Sequence, residues 1–167
     1  MLDIAKKENP NLDLKLGSGY NIPFQEKFDI VFASLVVHYL KDWNKMFTEV
    51  SRILNKGGHF IFSTGNPVAE ARKKIKVGNK KISVLDNYFK EGKIYANWKN
   101  NEGKNIKMSA YHRTYETIIK TIRNNNFEII DYKDCFPIKK AKKLFPKDYR
   151  EYSKKPFFCA WKVRKNV

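Results

Sequence analysis

Two histidines of this 167-residue chain stand where they could take a proton from a reacting group. His38 comes soon after the apolar run of residues 28–32, and His112 lies just before a predicted helix. Because imidazole titrates near neutral pH, either ring suits the role of a general base. Each also has a structural interpretation: His38 could begin a helix or pack in the core, and His112 could serve as a cap. We assign no role to His59, the third histidine.

The elements that position His38 form a predicted βαβ unit. Residues 28–32 are short and apolar, as in a parallel strand covered on both faces. We expect Asp42 to cap the following helix and Gly57-Gly58 to end it, before a second strand at residues 59–64. The helix carries an apolar stripe at helical spacing, made up of Trp43, Met46, Phe47, Val50, Ile53 and Leu54.

Small residues mark the carboxyl end of the first strand, where Ala33 and Ser34 follow the apolar run. In open α/β sheets, ligands bind beyond the carboxyl ends of the strands. We therefore expect the functional site at Ala33 and Ser34.

The segments before and after this unit predict further sheet structure. Residues 1–8 have the pattern of the last turns of a helix, and residues 12–16 alternate strictly, as a strand does. Turn signals at residues 77–80 and 100–103 predict an antiparallel flap. The flap could be a substrate lid or an ordinary solvent-exposed β-structure.

The C-terminal part predicts one helix and two closing strands. Thr114 can cap the helix, and strands are expected at residues 127–132 and 156–163. A long basic connection, interrupted at Pro146, joins the two strands. We interpret them as an antiparallel edge on a parallel sheet.

The net charge of +17 has two interpretations. A strongly basic surface is typical of proteins that bind nucleic-acid phosphates. Arginine, which reads phosphates and bases by its bidentate fork, occurs only six times, whereas lysine is abundant throughout. We favour a general bias toward lysine and keep nucleic acid as a secondary possibility.

The remaining composition favours a cytoplasmic protein. No apolar run approaches the roughly 20 residues that a membrane span needs, and the N-terminus has no signal-peptide pattern. The only cysteines, Cys135 and Cys159, are far apart and indicate neither a disulfide framework nor a metal site. We therefore expect no membrane partner and no metal.

The order of these segments resembles that of class I S-adenosylmethionine-dependent methyltransferases, and most closely the methyltransferase type 11 group. The segments that carry the resemblance are GSGYNIPF, FDIVFASLVVHYLKDW, NKGGHFIFSTGNP and the helix that begins YHRTYE. The resemblance implies an α/β fold with a Rossmann-like sheet, mostly parallel with an antiparallel C-terminal strand. It makes residues 1–167 one partial domain with a β-rich flap insertion at residues 68–110.

The resemblance also implies a cofactor, S-adenosylmethionine, and residues that bind it. Ser18 takes the place of a polar side chain that contacts adenine, often an aspartate. The amide of Gly19 would point at the adenine ring, and Ile22 would pack near it. Ala33 and Ser34 would contact the methionyl end.

One departure from the family concerns the cofactor loop. The family has a glycine-rich turn after its first strand and an acidic, ribose-binding residue at the end of its second strand, and this sequence contains no G-x-G-x-G motif. The resemblance therefore implies an N-terminally truncated domain that lacks the first two strands and the first helix. We expect a weak or incomplete cofactor site and an enzyme that is impaired or inactive as this fragment.

The lack of these strands has a consequence for assembly. In the family they separate the strand at residues 12–16 from the strand at residues 28–32. Their removal leaves strand edges open, and such edges template association. We therefore expect a rearranged sheet, or a homo-oligomer or complementing N-terminal segment that completes the sheet.

The predicted reaction is methyl transfer to a small-molecule acceptor, with His38 and His112 as the candidate catalytic residues. Asn66-Pro67 resembles, without matching, the motif by which nitrogen methyltransferases hold an amine, because Val68 stands where an aromatic residue would follow. Amine methylation is therefore not supported. The alternatives are a non-catalytic basic module that binds nucleic acid and an RNA methyltransferase.

Overall fold

The structure is a computed structural model that describes residues 2–99 and 102–166. Its elements are, in chain order, α1 (Leu2–Glu8), β1 (Phe28–Ala33), a 3-10 turn (Val37–Tyr39), α2 (Trp43–Ile53), β2 (Leu54–Gly65), α3 (Pro67–Glu70), β3 (Arg72–Val77), β4 (Lys80–Leu85), β5 (Gly92–Lys99), β6 (Asn105–His112), α4 (Tyr115–Asn124), β7 (Phe127–Asp134), α5 (Lys139–Leu144), α6 (Pro146–Tyr152) and β8 (Phe158–Lys165).

Four strands form the central sheet, in the order β1-β2-β8-β7. β1 and β2 are parallel, and β8 pairs antiparallel with both β2 and β7. The α/β class and the antiparallel C-terminal strand are thus confirmed. The predicted antiparallel edge is also confirmed, because β7 and β8 pair antiparallel at one side of the sheet, with β8 as the inner strand of the two.

Helix α2 covers one face of the sheet and supplies much of the core. Asp42 is its N-cap, as predicted, and its carboxylate accepts a hydrogen bond from the amide of Lys45 at 3.1 Å. The buried residues of α2 are those of the predicted stripe, Trp43, Met46, Phe47, Val50 and Ile53. All of these except Ile53 form one apolar cluster with Phe60, Phe62, Phe127 and two isoleucines of α4.

Gly57 does not end this helix, contrary to our expectation. The helix ends at Ile53, and Leu54 begins β2 directly. Leu54 is buried and pairs with Phe28. Burial of this side chain and backbone pairing with β1 therefore stabilise a direct entry into the sheet more than a separate turn would. Gly57 has a φ of 73° within β2, where the register against β1 shifts after Phe28.

Residues 12–16 do not form the predicted strand. The described chain is irregular there, with Leu16 84% exposed, and the nearest pairing is an isolated bridge between Ser18 and Asn21. Alternation alone is not enough for a strand, which needs a partner for its backbone groups. The opposite edge of β1 has no partner strand among the described residues.

β1 is also covered on one face only, whereas we expected cover on both. Val31 and Ala33 pack against the core, but Ile30 and Phe32 on the other face are 61% and 69% exposed. Within the described residues the sheet has not rearranged to close this edge. The homo-oligomer and the complementing N-terminal segment stay predictions.

The predicted flap consists of two hairpins, β3-β4 and β5-β6. The turn signal at residues 77–80 is confirmed, with Gly78 at a φ of 56°. Of the second turn signal, Asn100 and Asn101 lie outside the described residues. No helix among the described residues is long and apolar enough to cross a membrane, and no cluster of potential metal ligands is found in that part of the chain.

The aromatic core leads to a prediction about stability. Phe47 is completely buried, and its ring lies 5.3–6.0 Å from those of Phe60, Phe62 and Phe127. Phe47→Ala should lower the free energy of unfolding in urea by about 3–5 kcal/mol, because it leaves a cavity. The matched control Phe89→Ala, on an exposed ring, should change it by less than about 0.5 kcal/mol. Equal effects of the two changes would contradict this core.

Candidate functional site

A carboxylate and a guanidinium of α2 hold the loop that contains the predicted cofactor residues. Glu49 accepts a hydrogen bond from the amide of Ile22 at 2.9 Å. Arg52 pairs with Glu49 at 3.0 Å and donates to the carbonyls of Ile22 and Phe24 at 2.8 and 2.9 Å. The hydrogen bonds from Arg52 and from Ile22 lower the pKa of Glu49. The loop therefore keeps a fixed position beside the end of β1.

Three of the five predicted cofactor residues line one apolar groove of about 360 Å³. They are Gly19, Ile22 and Ala33, and the groove continues along β1 past Ile30 and Phe32. Gly19 approaches Leu40 so closely that a Cβ atom there would lie 2.6 Å from the Leu40 Cδ1 atom. A larger residue at this position would have to displace Leu40.

The other two predicted cofactor residues, Ser18 and Ser34, do not line this groove. The hydroxyl of Ser18 accepts a hydrogen bond from the amide of Tyr20, and the Oγ atom of Ser34 lies 3.5 Å from that of Ser63. Ser63 also accepts a hydrogen bond from the amide of Leu35, whose φ of 50° is rare for a residue with a side chain. Ser34 and Ser63 thus stabilise the sharp bend that follows β1.

His38 lies in a second, larger cavity of about 860 Å³. The ring is 9% exposed, and its buried Nδ1 atom has no hydrogen-bond partner among the described residues. Burial lowers the pKa of His38, so the ring is neutral at pH 7. A neutral imidazole with a free nitrogen in a cavity can accept a proton.

Two neighbours fix the position of the 3-10 turn that carries His38. The indole of Trp43 donates to the carbonyl of Val37 at 2.8 Å. The buried guanidinium of Arg113 donates to the carbonyls of Leu40 and Lys41 at 2.8 and 2.6 Å and stacks on Trp43 at 4.6 Å. These hydrogen bonds hold the backbone at the beginning of the turn and just after its end.

Glu70 and Arg72 line the same cavity, and sequence reasoning did not single them out. The Nη1 atom of Arg72 is buried and has no hydrogen-bond partner among the described residues. A donor left in this way has a high cost unless a ligand accepts from it. Their position just after the carboxyl end of β2, where a site is expected, was the available signal.

His112 lines neither the groove nor the cavity and has partners on both ring nitrogens. Its Nδ1 atom lies 3.2 Å from the carboxylate of Glu70, and its Nε2 atom lies 2.8 Å from the carbonyl oxygen of Tyr88. Both partners are acceptors, so the charged ring satisfies both. The bond to Glu70, followed by the bond to Tyr88, raises the pKa of His112 against the effect of burial.

Asn66 is completely buried, and both its amide nitrogen and its amide oxygen form hydrogen bonds within the protein. Its nitrogen donates to the hydroxyl of Tyr115 and the carboxylate of Asp134, and its oxygen accepts from the amides of Val68 and Ala69. Asn66 is therefore the N-cap of α3, with no hydrogen bond left for an amine.

The groove can accept one part of S-adenosylmethionine better than the rest. Its lining is almost entirely apolar, which fits a flat, largely apolar adenine ring. None of the described residues that line it is acidic, so no carboxylate there would accept hydrogen bonds from a ribose. The residues fit the adenine end only.

Comparisons with known proteins show what this chain is similar to. A family model described as a methyltransferase domain matches residues 1–62. The chain is similar to an uncharacterized protein of Haemophilus influenzae, at 25% identity over 99% of this chain and 68% of that protein. It is also similar to a crystal structure assigned as an S-adenosylmethionine-dependent methyltransferase from Listeria monocytogenes, with a TM-score of 0.81 and 25% identity over 100% of this chain and 76% of that one. The crystal structure of an S-adenosylmethionine-dependent methyltransferase from Mesorhizobium loti is similar at 22% identity and a TM-score of 0.72. That match covers 97% of this chain and 75% of the other chain.

The His112–Glu70 pair leads to a prediction about pH. Because the folded-state pKa of His112 is raised, its stabilisation is complete below the unfolded value near 6.5 and is lost as the pH rises through the folded value. In urea unfolding between pH 5.5 and 8.5, the stability advantage of the wild type over His112→Gln should therefore shrink as the pH rises. Glu70→Gln should weaken the same pH dependence, since it removes the main cause. An advantage that grows with pH would contradict the assignment.

Proposed function

We propose that this chain transfers a methyl group from S-adenosylmethionine to a small-molecule acceptor in the cavity of His38. The match of residues 1–62 to a methyltransferase domain and the similarity to the Listeria monocytogenes structure support this proposal. The observation that carries this proposal is the buried, neutral His38 ring, which lines the cavity and whose Nδ1 atom has no hydrogen-bond partner among the described residues. When bound, S-adenosylmethionine supplies the electrophilic methyl group of its sulfonium.

The proposed role of His38 is that of the general base. The imidazole of His38 would take the proton that the acceptor loses, and the hydrogen bonds from Trp43 and Arg113 to the turn hold His38 in place. Arg72 is proposed to donate from its free Nη1 atom to an oxygen of the acceptor. His112, whose ring nitrogens both have partners, is proposed as a positioning residue for Glu70.

The proposed cofactor contacts use the residues predicted from the resemblance. Gly19 and Ile22 would contact the adenine, and Ala33 and Ser34 would lie toward the methionyl end. Because the groove lacks an acidic side chain, we propose that this chain by itself binds the cofactor weakly and is impaired as an enzyme. A homo-oligomer or a complementing N-terminal segment on β1 would complete the site. We further propose a cytoplasmic location.

The role of His38 can be tested by methyl transfer from radiolabelled S-adenosylmethionine, at millimolar concentration, into the low-mass fraction of a cell extract. His38→Gln should lower the rate by about 10²- to 10⁴-fold, because it removes the base. The matched control is His59→Gln on β2, a histidine that lines neither the groove nor the cavity. It should leave the rate within about twofold of the wild type. Equal rates for all three proteins would contradict the proposed mechanism.

A further inference from the structure

A third depression, of about 550 Å³, lies between the β3-β4 hairpin and α6 and is strongly cationic. We call it the basic cleft and define it by its six cationic residues, which are Lys74, Lys81, Lys147, Arg150, Lys154 and Lys155. Its lining includes one carboxylate, that of Glu151, which pairs with Lys155 at 3.1 Å. Five of the six cationic groups form no ion pair with a described residue.

The cationic side chains of the cleft come from two elements, the β3-β4 hairpin and α6 with the residues that follow it. Lys74 and Ser83 are directly opposite each other in the hairpin, as are Lys76 and Lys81, so these side chains share one face. On the other wall, residues 147, 150, 151 and 154 follow the spacing of three and four that lines one side of a helical turn. Like charges placed directly opposite in a sheet are destabilising unless an anion lies near them.

The basic cleft is part of a longer track. At one end it shares Arg150 and Lys154 with a smaller depression that reaches Lys142 of α5. At the other end it approaches the cavity of His38, because Arg72 of that cavity lies two residues before Lys74 on the same strand and face. A single phosphate group needs far fewer cations than the track contains. The extent of the track favours a ligand with phosphates at regular intervals.

An exposed aromatic residue directly precedes Pro146, which lines the smaller depression of the track. Phe145, between α5 and α6, is 60% exposed and precedes the first residue of α6. A cationic groove with adjacent aromatic rings is typical of proteins that bind single-stranded nucleic acid, where bases stack on the rings. We propose that the basic cleft binds the phosphates of a single-stranded nucleic acid. The proposal is independent of methyl transfer, because it involves neither the cofactor groove nor His38.

The test is fluorescence anisotropy with a labelled 20-nucleotide single-stranded RNA of mixed sequence. Six phosphate contacts predict a slope of log affinity against log salt of up to about −4 for the wild-type chain. A slope shallower than about −1 would overturn the proposal without any variant. The triple change Lys74→Ser, Lys147→Ser and Lys154→Ser should weaken binding at least about tenfold and make the slope less steep by about 2.

A matched control separates the cleft from the general basicity of the chain. The triple change Lys7→Ser, Lys56→Ser and Lys90→Ser removes the same charge from exposed positions outside the cleft. It should weaken binding less than about threefold, and an effect equal to that of the cleft variant would overturn the proposal. Inorganic tripolyphosphate is the second probe. If it binds the wild type as tightly as the RNA does at equal phosphate concentration, the cleft is a site for small phosphates and the proposal fails.

Discussion

The packing of α2 on β2 is the constraint on which the rest of the structure depends. Phe47 of the helix packs edge-to-face against Phe60 and Phe62 of the strand, and the three rings are fully or almost fully buried. This contact fixes the carboxyl end of β2, from which α3 and the cavity of His38 follow. It also fixes the position of Glu49 and Arg52, which hold the loop that contains Ile22. The site is therefore built on the best packed part of the molecule.

The elements that the sequence predicted well are those whose signals are local. The N-caps Asp42 and Thr114 and the apolar stripe of α2 depend on residues a few positions apart. The local sequence pattern therefore contains all the interactions that determine where these helices begin and which face is buried. The strand expected at residues 12–16 failed because its existence depends on a partner, and the pattern of a strand does not say whether one is present. The end of α2 was misplaced because burial of Leu54 overrode the signal of Gly57.

The site could be predicted only in part for a similar reason. The resemblance identified Gly19, Ile22 and Ala33, which the structure brings together in one groove. It gave no means of distinguishing the two histidines, because the difference lies in partners distant in sequence. His112 has Glu70 and Tyr88 on its two nitrogens, whereas the Nδ1 atom of His38 has no partner among the described residues. Arg72, whose Nη1 atom is buried, was missed because the only signal for it is its position after the carboxyl end of β2.

The central claim is that this chain by itself holds only one end of the cofactor, since its groove is apolar and has no acidic residue among those described. The most direct measurement is isothermal titration of the chain with S-adenosylmethionine. The account predicts a Kd in the millimolar range, about −4 kcal/mol. A Kd in the micromolar range, about −8 kcal/mol, would contradict it.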